Sequence, residues 1–411
     1  MAAKETIYII GAGISGLIAA YELEQAGYTP VVLEKSDTVG GRVRTVKKNG
    51  YHLDLGFQVL LDAYPLANTY LDMDALHLQR LESGSQIYVE GKRYLIGDAL
   101  RNIRLLVPTL LADIGSLTDK VKVLALSRRL KKKSLNAIFG SPETSTLDYL
   151  QSQGFSNKII DRFFRPFFSG IFLESELRTS SRMFEFVYKM FGEGYATIPE
   201  QGIGAISEQL KGKLKTTQFQ FGQEVKRVTN EHITLANGEQ LNHSGVIITA
   251  NASQLVSNMK DQTVEWKSCT CLYFEVDTTS IPKGTIALVA DKGKLANNLY
   301  AYKDASGKQL LSVTTLKHAG KTNEELTQAI EAEVKEYCGI QRIKHIGNFE
   351  IPKALPDLTH LKMTTEPSES QLTEHIFLAG DVLFNGSLNA AMESGRLAAL
   401  GLLEKKSGIM M

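Results

Sequence analysis

Several things are scarce in the 411-residue sequence, and each scarcity removes a class of protein. Cysteine occurs three times, at Cys269, Cys271 and Cys338, too rarely for a disulfide framework. Cys269-x-Cys271 has no second pair, so zinc is not expected; alternating positions in one strand account for the spacing. Net charge is almost absent, with 46 Lys plus Arg against 45 Asp plus Glu, so no nucleic-acid partner is expected. No stretch reaches the roughly 18 uninterrupted apolar residues that a membrane-spanning helix needs. Because the first apolar run already starts at Thr6, no signal or transit peptide is expected. With few cysteines as well, the expectation is a cytoplasmic protein. Internal repeats and low-complexity tracts are also missing. The length suggests two closely packed domains.

What is present is concentrated near the two ends. Thr6–Ile10 (TIYII) is a short apolar run that leads into Gly11-Ala12-Gly13-Ile14-Ser15-Gly16. Leu17–Ala26 follows at helical spacing, Gly27 stops it, and a second apolar run, Thr29–Leu33, ends at Glu34-Lys35. This is the strand–turn–helix–strand of a dinucleotide-binding unit, in which Gly11 permits the tight turn, Gly13 a close approach to pyrophosphate, and Gly16 close helix–strand packing. The helix opening at Ile14 and Ser15 offers free N–H groups and a positive dipole end to phosphate. Glu34 can accept from ribose hydroxyls and would repel a 2′-phosphate. The first unit leaves NAD and FAD both open. Asp37–Thr45 (DTVGGRVRT) adds a second anion-friendly loop, with Gly41, Arg42 and Arg44, for which a nicotinamide enzyme has no need.

The run GAGISGLIAAYELEQAGYTPVVLEKSDTVGGRVRT resembles the FAD-binding signature of the flavin-containing amine oxidase, phytoene desaturase and protoporphyrinogen oxidase superfamily. Ile376–Ala399 (IFLAGDVLFNGSLNAAMESGRLAA) is similar to that superfamily's closing motif. The resemblance implies an α/β fold: an FAD-binding Rossmann-like domain of glutathione-reductase type with the family-2 signature, carrying an inserted α+β substrate domain. Residues 1–90, 196–262 and 340–411 would then form the FAD domain, and 91–195 with 263–339 the substrate domain. Gly380 and Asp381 would bind toward the ribityl–phosphate part of FAD. Ser387, Leu388 and Asn389 would open a helix aimed at the pyrimidine edge of the flavin, where reduced flavin gathers negative charge. The alternating run Tyr51–Leu61 would supply the strand and loop that bring Asp54, Gly56, Phe57 and Gln58 under the isoalloxazine, and the backbone of Val225 would receive the adenine. No cysteine stands near the closing motif, so FAD is expected to be non-covalent.

Between the ends, helices are expected over 66–81, 98–139 and Asn323–Cys338. Strands are expected near Phe219–Phe221, Gln223–Val228, Gly245–Ala250, Cys269–Val276, Thr285–Ala290, Leu299–Lys303 and Gln309–Thr314, the last four forming a mixed sheet as a cavity floor. Residues 100–133 join apolar helices to the run Arg128-Arg129-Leu130-Lys131-Lys132-Lys133, which reads either as peripheral membrane contact with anionic lipid or as a solvated face. Phe163–Phe172 (FFRPFFSGIF) resembles a cavity-wall pattern of the desaturase branch and reads equally as core. Arg165 meets either a substrate carboxylate or a nearby acid. Ile351–Leu358 (IPKALPDL) resembles the segment before the closing motif, with its prolines fixing a connection. His52 and His318 are read as ordinary histidines.

Amine oxidases place a lysine near flavin N5 in the first strand of the second substrate segment. Here that strand reads Ser268–Leu272 with Lys267 only at its margin. The expectation is therefore an FAD-dependent oxidoreductase that dehydrogenates a bulky, largely apolar small molecule, of desaturase or protoporphyrinogen oxidase type, with oxygen or a quinone as acceptor. An amine oxidase is the alternative, and a non-catalytic flavin-binding protein a second one. No side chain is singled out as a catalytic acid or base, since the hydride goes to flavin N5.

Overall fold

A computed structural model describes residues 6–98, 101–259, 263–304, 307–316 and 320–408. The start of the expected helical block at 99–100 and His318 lie outside the described residues. The fold is α/β, with a Rossmann-like dinucleotide-binding region and an inserted α+β part.

Five parallel strands form the first sheet, in the order Gln218–Phe221, Val31–Glu34, Ile7–Ile10, Gly245–Ile248, Ile376–Leu378. The inner strands are covered on both faces, which is why they read as continuous apolar runs, whereas the edge strand Gln218–Phe221 alternates with Gln218 and Gln220 exposed. Ile7, Ile9, Val32, Ile247 and Phe377 pack toward the helix Ile14–Gln25, and Ile10, Val31, Leu33, Val246 and Ile248 toward the antiparallel strands Val225–Val228, His232–Leu235 and Gln240–Asn242. The last helix, Leu388–Lys406, crosses the first one closely. A Cβ on Gly395 would stand 2.2 Å from the carbonyl oxygen of Ser15, and the hydroxyls of Ser15 and Ser394 lie 3.2 Å apart.

The second sheet has seven strands, in the order Ile343–Pro356, Trp266–Val276, Gln309–Thr315, Ala296–Lys303, Ile286–Val289, Gly84–Val89, Lys92–Gly97. It is mixed, because Ile286–Val289 and Gly84–Val89 pair in parallel. Gly84–Val89 and Ile343–Pro356 belong to it although their residues fall in the stretches assigned from sequence to the nucleotide domain. The helix Asn323–Cys338, opened by a reciprocal Thr322/Glu325 cap, buries Leu326, Ile330 and Val334 against Leu272, Phe274, Leu299, Leu311 and Val313. Cross-strand partners Cys271 and Thr314, Tyr273 and Ser312, and Tyr300 and Ser312 put those side chains on the opposite face. There Cys271 and Tyr273 meet Tyr51 and Leu53 of the hairpin Thr45–Lys48/Tyr51–Asp54.

Three expectations are corrected. The helix expected over 66–81 runs only from Pro65 to Tyr70. Asp72 then accepts from the N–H of Ala75 in a turn, His77 takes a positive φ of 47°, and Leu78–Arg80 pairs as a strand with Pro199–Thr197. The block 98–139 is broken into Leu106–Leu111, Leu117–Lys132 and Leu135–Phe139, with serine caps at Ser116 and Ser134. The proline-fixed connection expected over Ile351–Leu358 is largely strand: Pro352 and Pro356 lie in the 14-residue strand Ile343–Pro356. That strand is at the sheet edge, where a missing N–H leaves no ladder partner unsatisfied.

Candidate functional site

The carboxyl ends of the five parallel strands share one edge of the first sheet, and the glycine turn, Glu34 and Asp381 all follow strands ending there. Ligands bind such sheets at this edge. Gly11 turns with φ 103° and donates its N–H to the carbonyl of Leu33 at 2.9 Å. Gly16 is forced by packing, since a Cβ there would sit 2.0 Å from the carbonyl oxygen of Gly11. Gly13 differs: its backbone is ordinary (φ −72°, ψ 177°), and a Cβ would meet nothing within 4 Å. Open space therefore lies in front of Gly13, at the opening of the helix begun by Ile14 and Ser15.

Glu34 uses its carboxylate to hold this loop. It accepts from the N–H of Ala12 at 2.7 Å and from the N–H and hydroxyl of Ser36, each at 2.8 Å. Its carbonyl accepts from Gln223 N–H at 2.9 Å, which brings the nearby strand start at Val225 to the same edge. Lys35 is exposed. Gly41 stacks on Gly13, a Cβ there lying 3.5 Å from its Cα. Arg42 reaches across the fold to Asp381: Nη1 to Oδ2 is 3.0 Å, and Nη2 bonds Oδ1. The same guanidinium lies 5.1 Å from the ring centre of Trp266, so one residue links the opening loop, the closing motif and the substrate sheet. Gln58 donates to the carbonyls of Arg42 (2.8 Å) and Leu55 (2.9 Å), holding the two loops together. Gly56 has φ 88°, Phe57 leans on Tyr300 at 5.3 Å, and Tyr300 stacks on Tyr302 at 5.7 Å.

At the other end of the site, Gly380 donates its N–H to the hydroxyl of Ser394 at 2.9 Å, fixing the turn into Asp381. Ser387 caps the last helix by accepting from the N–H of Ala390 at 3.0 Å. Leu388 starts the helix, and Asn389 accepts from the N–H of Leu66 at 3.1 Å.

A dinucleotide fits this setting on observations of the chain itself. Arg44 Nε and Asn389 Nδ2 are buried donors with no hydrogen-bond partner among the described residues, and space is open in front of Gly13. An unmet buried donor costs about 1–3 kcal/mol, which an acceptor-rich ligand would relieve. FAD carries such acceptors along its whole length, in diphosphate, ribityl and pyrimidine groups.

Sequence reading undervalued Asp54. Its carboxylate accepts from Thr45 Oγ1 at 2.5 Å and from the N–H of Ile203 at 3.0 Å, and its carbonyl accepts from Tyr273 OH at 3.0 Å. Burial pushes its carboxyl up to about 6, against the lowering pull of the Thr45 and Ile203 hydrogen bonds. Tyr300 and Tyr302 were also missed, though their i, i+2 spacing on one strand was a signal. Burial pushes the Tyr300 phenol up to about 12, so it stays neutral.

The aromatic stretch resolves toward core. Phe164, Phe168 and Phe172 are fully buried and continue into Phe184, while Phe163 and Phe167 are partly buried. Arg165 pairs with Asp161 at 3.0 Å and donates to Ser175 O at 2.6 Å. Lys267 points its ammonium at Thr179 Oγ1 and Asp357 Oδ1, both at 3.1 Å. His52 is exposed.

A parallel sheet with a glycine turn at its carboxyl edge, closed by a Gly-Asp turn and a terminal helix, defines a dinucleotide-binding flavoprotein fold. A family model described as flavin containing amine oxidoreductase matches residues 14–403, and the chain belongs to that family. That family is one of flavin-containing oxidoreductases. Protoporphyrinogen oxidase 2 of Arabidopsis thaliana is 30% identical over 169 residues, covering 40% of this chain and 32% of that protein. An L-amino-acid oxidase of Echis ocellatus is 29% identical over 240 residues, covering 54% of this chain and 47% of that protein. The chain thus spans less than half the length of either relative. Among solved structures, wild-type putrescine oxidase bound to putrescine superposes with a TM-score of 0.67 at 15% identity, covering 98% of this chain and 99% of that one, a likeness of fold.

Proposed function

We propose that the protein oxidises the carbon next to nitrogen in an amine or amino acid, with FAD held without a covalent bond and oxygen as acceptor. This reverses the order expected from sequence, in which a desaturase or protoporphyrinogen oxidase came first. The L-amino-acid oxidase similarity and the amine-oxidase family match support the reversal.

The observation that carries the reading is the aromatic wall beside Gly56: Phe57, Tyr300 and Tyr302, with Ser312 on the same sheet face. Aromatic faces attract a cationic nitrogen, and hydroxyls tolerate a polar one. A wall suited only to a polyene would need neither. When bound, FAD supplies the two-electron acceptor for a hydride equivalent from the substrate C–H, leaving an imine once the nitrogen has lost its proton. The chain's own groups do the rest. The Gly13 opening and the helix N-terminus receive diphosphate, Arg44 and Asn389 supply the unmet donors, and the aromatic wall, partly buried at Phe57 and Tyr302, orients substrate.

A second reading, dehydrogenation of a lipid-soluble substrate, draws on the protoporphyrinogen oxidase similarity and on the exposed apolar side chains of residues 103–124. Anaerobic mixing of the flavin-loaded protein with amines, amino acids, a porphyrinogen and a polyene separates the two. Bleaching of the oxidised flavin band by a nitrogen substrate alone is the expected result. Bleaching by the porphyrinogen or polyene alone reverses the order again, and bound flavin that nothing reduces points to a binding protein.

A further inference from the structure

Among the described residues, nine large hydrophobic side chains are exposed, and eight of them lie between Ile103 and Leu124. Single exposed hydrophobes are ordinary, whereas a cluster of this kind marks a surface that meets something apolar. On the short helix Leu106–Leu111 the exposed members are Leu106, Val107, Leu110 and Leu111, with Ile103 just before it. On Leu117–Lys132 they are Leu117, Val121 and Leu124, at i, i+4 and i+7, a single helical stripe. Lys120 joins the two helices, donating to the carbonyls of Leu110 at 2.6 Å and Ala112 at 2.9 Å, so both sets belong to one patch.

The stripe continues in the same register into Arg128 and Lys132, with Lys131 beside them, all exposed. About 16 Å of helix separates Leu117 from Arg128. The opposite face of this helix is committed inward. Leu126 and Leu130 are buried, Lys133 pairs with Glu185, Arg129 donates to Tyr149 OH and Gln153 Oε1, and Lys189 donates to the carbonyls of Leu130 and Lys131. The cationic run seen in the sequence therefore splits: Arg129 and Lys133 are structural, and Arg128, Lys131 and Lys132 face out. Among the described residues none of these three cations is joined to an acid by an ion pair. Within 101–133 the acids are Asp113, held by Lys158 and Arg162, and Asp119, which caps Ser116 and bonds Ser156.

We propose that this patch docks on an anionic lipid bilayer, the leucines and valines entering the acyl boundary and Arg128, Lys131 and Lys132 meeting headgroup phosphates. Apolar side chains at one end of a rigid stripe and unpaired cations at the other match the two layers of a bilayer surface. A second copy of the chain fits worse, because a two-fold contact would favour acids opposite the cations and both acids of residues 101–133 are already engaged. The inference is independent of which substrate the flavin site takes.

Flotation of the full chain with vesicles tests it, using phosphatidylcholine alone or with phosphatidylglycerol, at low and high salt. The native chain is expected to float with anionic vesicles at low salt and much less at high salt. Arg128→Gln/Lys131→Gln/Lys132→Gln should weaken partition by about two orders of magnitude, roughly fivefold for each cation. Leu117→Gln/Val121→Gln/Leu124→Gln should weaken it at least about tenfold. All six side chains are exposed, so both variants should melt as the native chain does. Failure of the native chain to float, undiminished flotation of either variant, or a dimer in sedimentation velocity that the Leu117/Val121/Leu124 variant abolishes would each overturn the proposal.

Discussion

Gly13 and Gly16 stand three residues apart in one motif, yet the structure assigns them opposite sensitivities, and that contrast is testable. A methyl on Gly13 enters open space, and its backbone (φ −72°, ψ 177°) suits alanine. Gly13→Ala should therefore leave the flavin-free protein as stable as before or raise it by about 0.4–1 kcal/mol, by restricting the unfolded chain. The same methyl occupies the space proposed for the FAD diphosphate. If the ligand must shift as an overpacked core does, at about 1–3 kcal/mol, affinity falls about 5- to 150-fold. Gly16→Ala behaves differently, because its Cβ would lie 2.0 Å from the Gly11 carbonyl oxygen and 3.2 Å from its carbon. The first helical turn would have to move, so the flavin-free protein itself loses about 1–3 kcal/mol or more. Thermal unfolding by circular dichroism and titration of apoprotein with FAD, followed by flavin fluorescence, separate the two quantities. Gly13→Ala binding FAD as tightly as the native chain would refute the placement of the diphosphate. Gly13→Ala melting as low as Gly16→Ala would refute the reading of the turn.

Three further outcomes follow from the same geometry. Arg42→Met leaves the buried Asp381 carboxylate unpaired, and should cost about 2 kcal/mol, less than the roughly 3–5 of a fully buried pair because the guanidinium is partly exposed; Asp381→Asn in the same chain should recover most of the lost melting temperature, and no recovery would mean the pair is not the cause. Asp54 holds its proton more tightly folded (about 6) than unfolded (about 4), so the wild type loses stability as pH rises from about 4 to 6; Asp54→Asn should be about 2–3 kcal/mol more stable than wild type at pH 8 and equal to it at low pH, and parallel urea-unfolding curves at both pH values would contradict this. Tyr302→Leu removes one ring of the wall, and for a cationic amine should raise KM by about 2- to 30-fold in steady-state oxidation assays; an unchanged KM would detach that ring from the substrate.

The nucleotide half was legible because its physics is local. Strand, turn and helix follow one another within thirty residues, and Gly11 and Gly16 are demanded by φ and by van der Waals contact within that stretch. Four strands of the seven-stranded sheet were legible in sequence, whereas Gly84–Val89, Lys92–Gly97 and Ile343–Pro356 were not. Gly84–Val89 joins through a parallel pairing with residues two hundred positions later, which no local pattern announces. Asp54 is a similar case. Its neighbours Thr45 and Ile203 come from different segments, and a buried carboxyl looks the same in sequence as a solvated one. The run 128–133 reads as five cations around one leucine, while the helix turns them to different faces, so that only the three-dimensional structure separates Lys133 on Glu185 from Lys132 in solvent.

The candidate site is assembled from contacts between segments very far apart in the chain. Ser15 meets Ser394, Arg42 meets Asp381, and Leu66 meets Asn389, with sequence separations of 379, 339 and 323. Loop closure over such distances must be offset by contacts before the site exists. The tight crossing of the first and last helices, which only the hydrogen of Gly395 permits against the Ser15 carbonyl, supplies those contacts independently of any ligand. The unmet donors on Arg44 and Asn389 then remain as the part of the design that folding alone does not satisfy. Arg44 follows directly on the opening loop and Asn389 lies in the closing helix, so a ligand bonding both would tie the two ends together. Its binding energy would appear as resistance of the docked last helix to opening. Hydrogen exchange should accordingly slow on FAD addition in both Leu388–Lys406 and Ile14–Gln25, and slowing in only one of them would show that the ligand does not span the crossing.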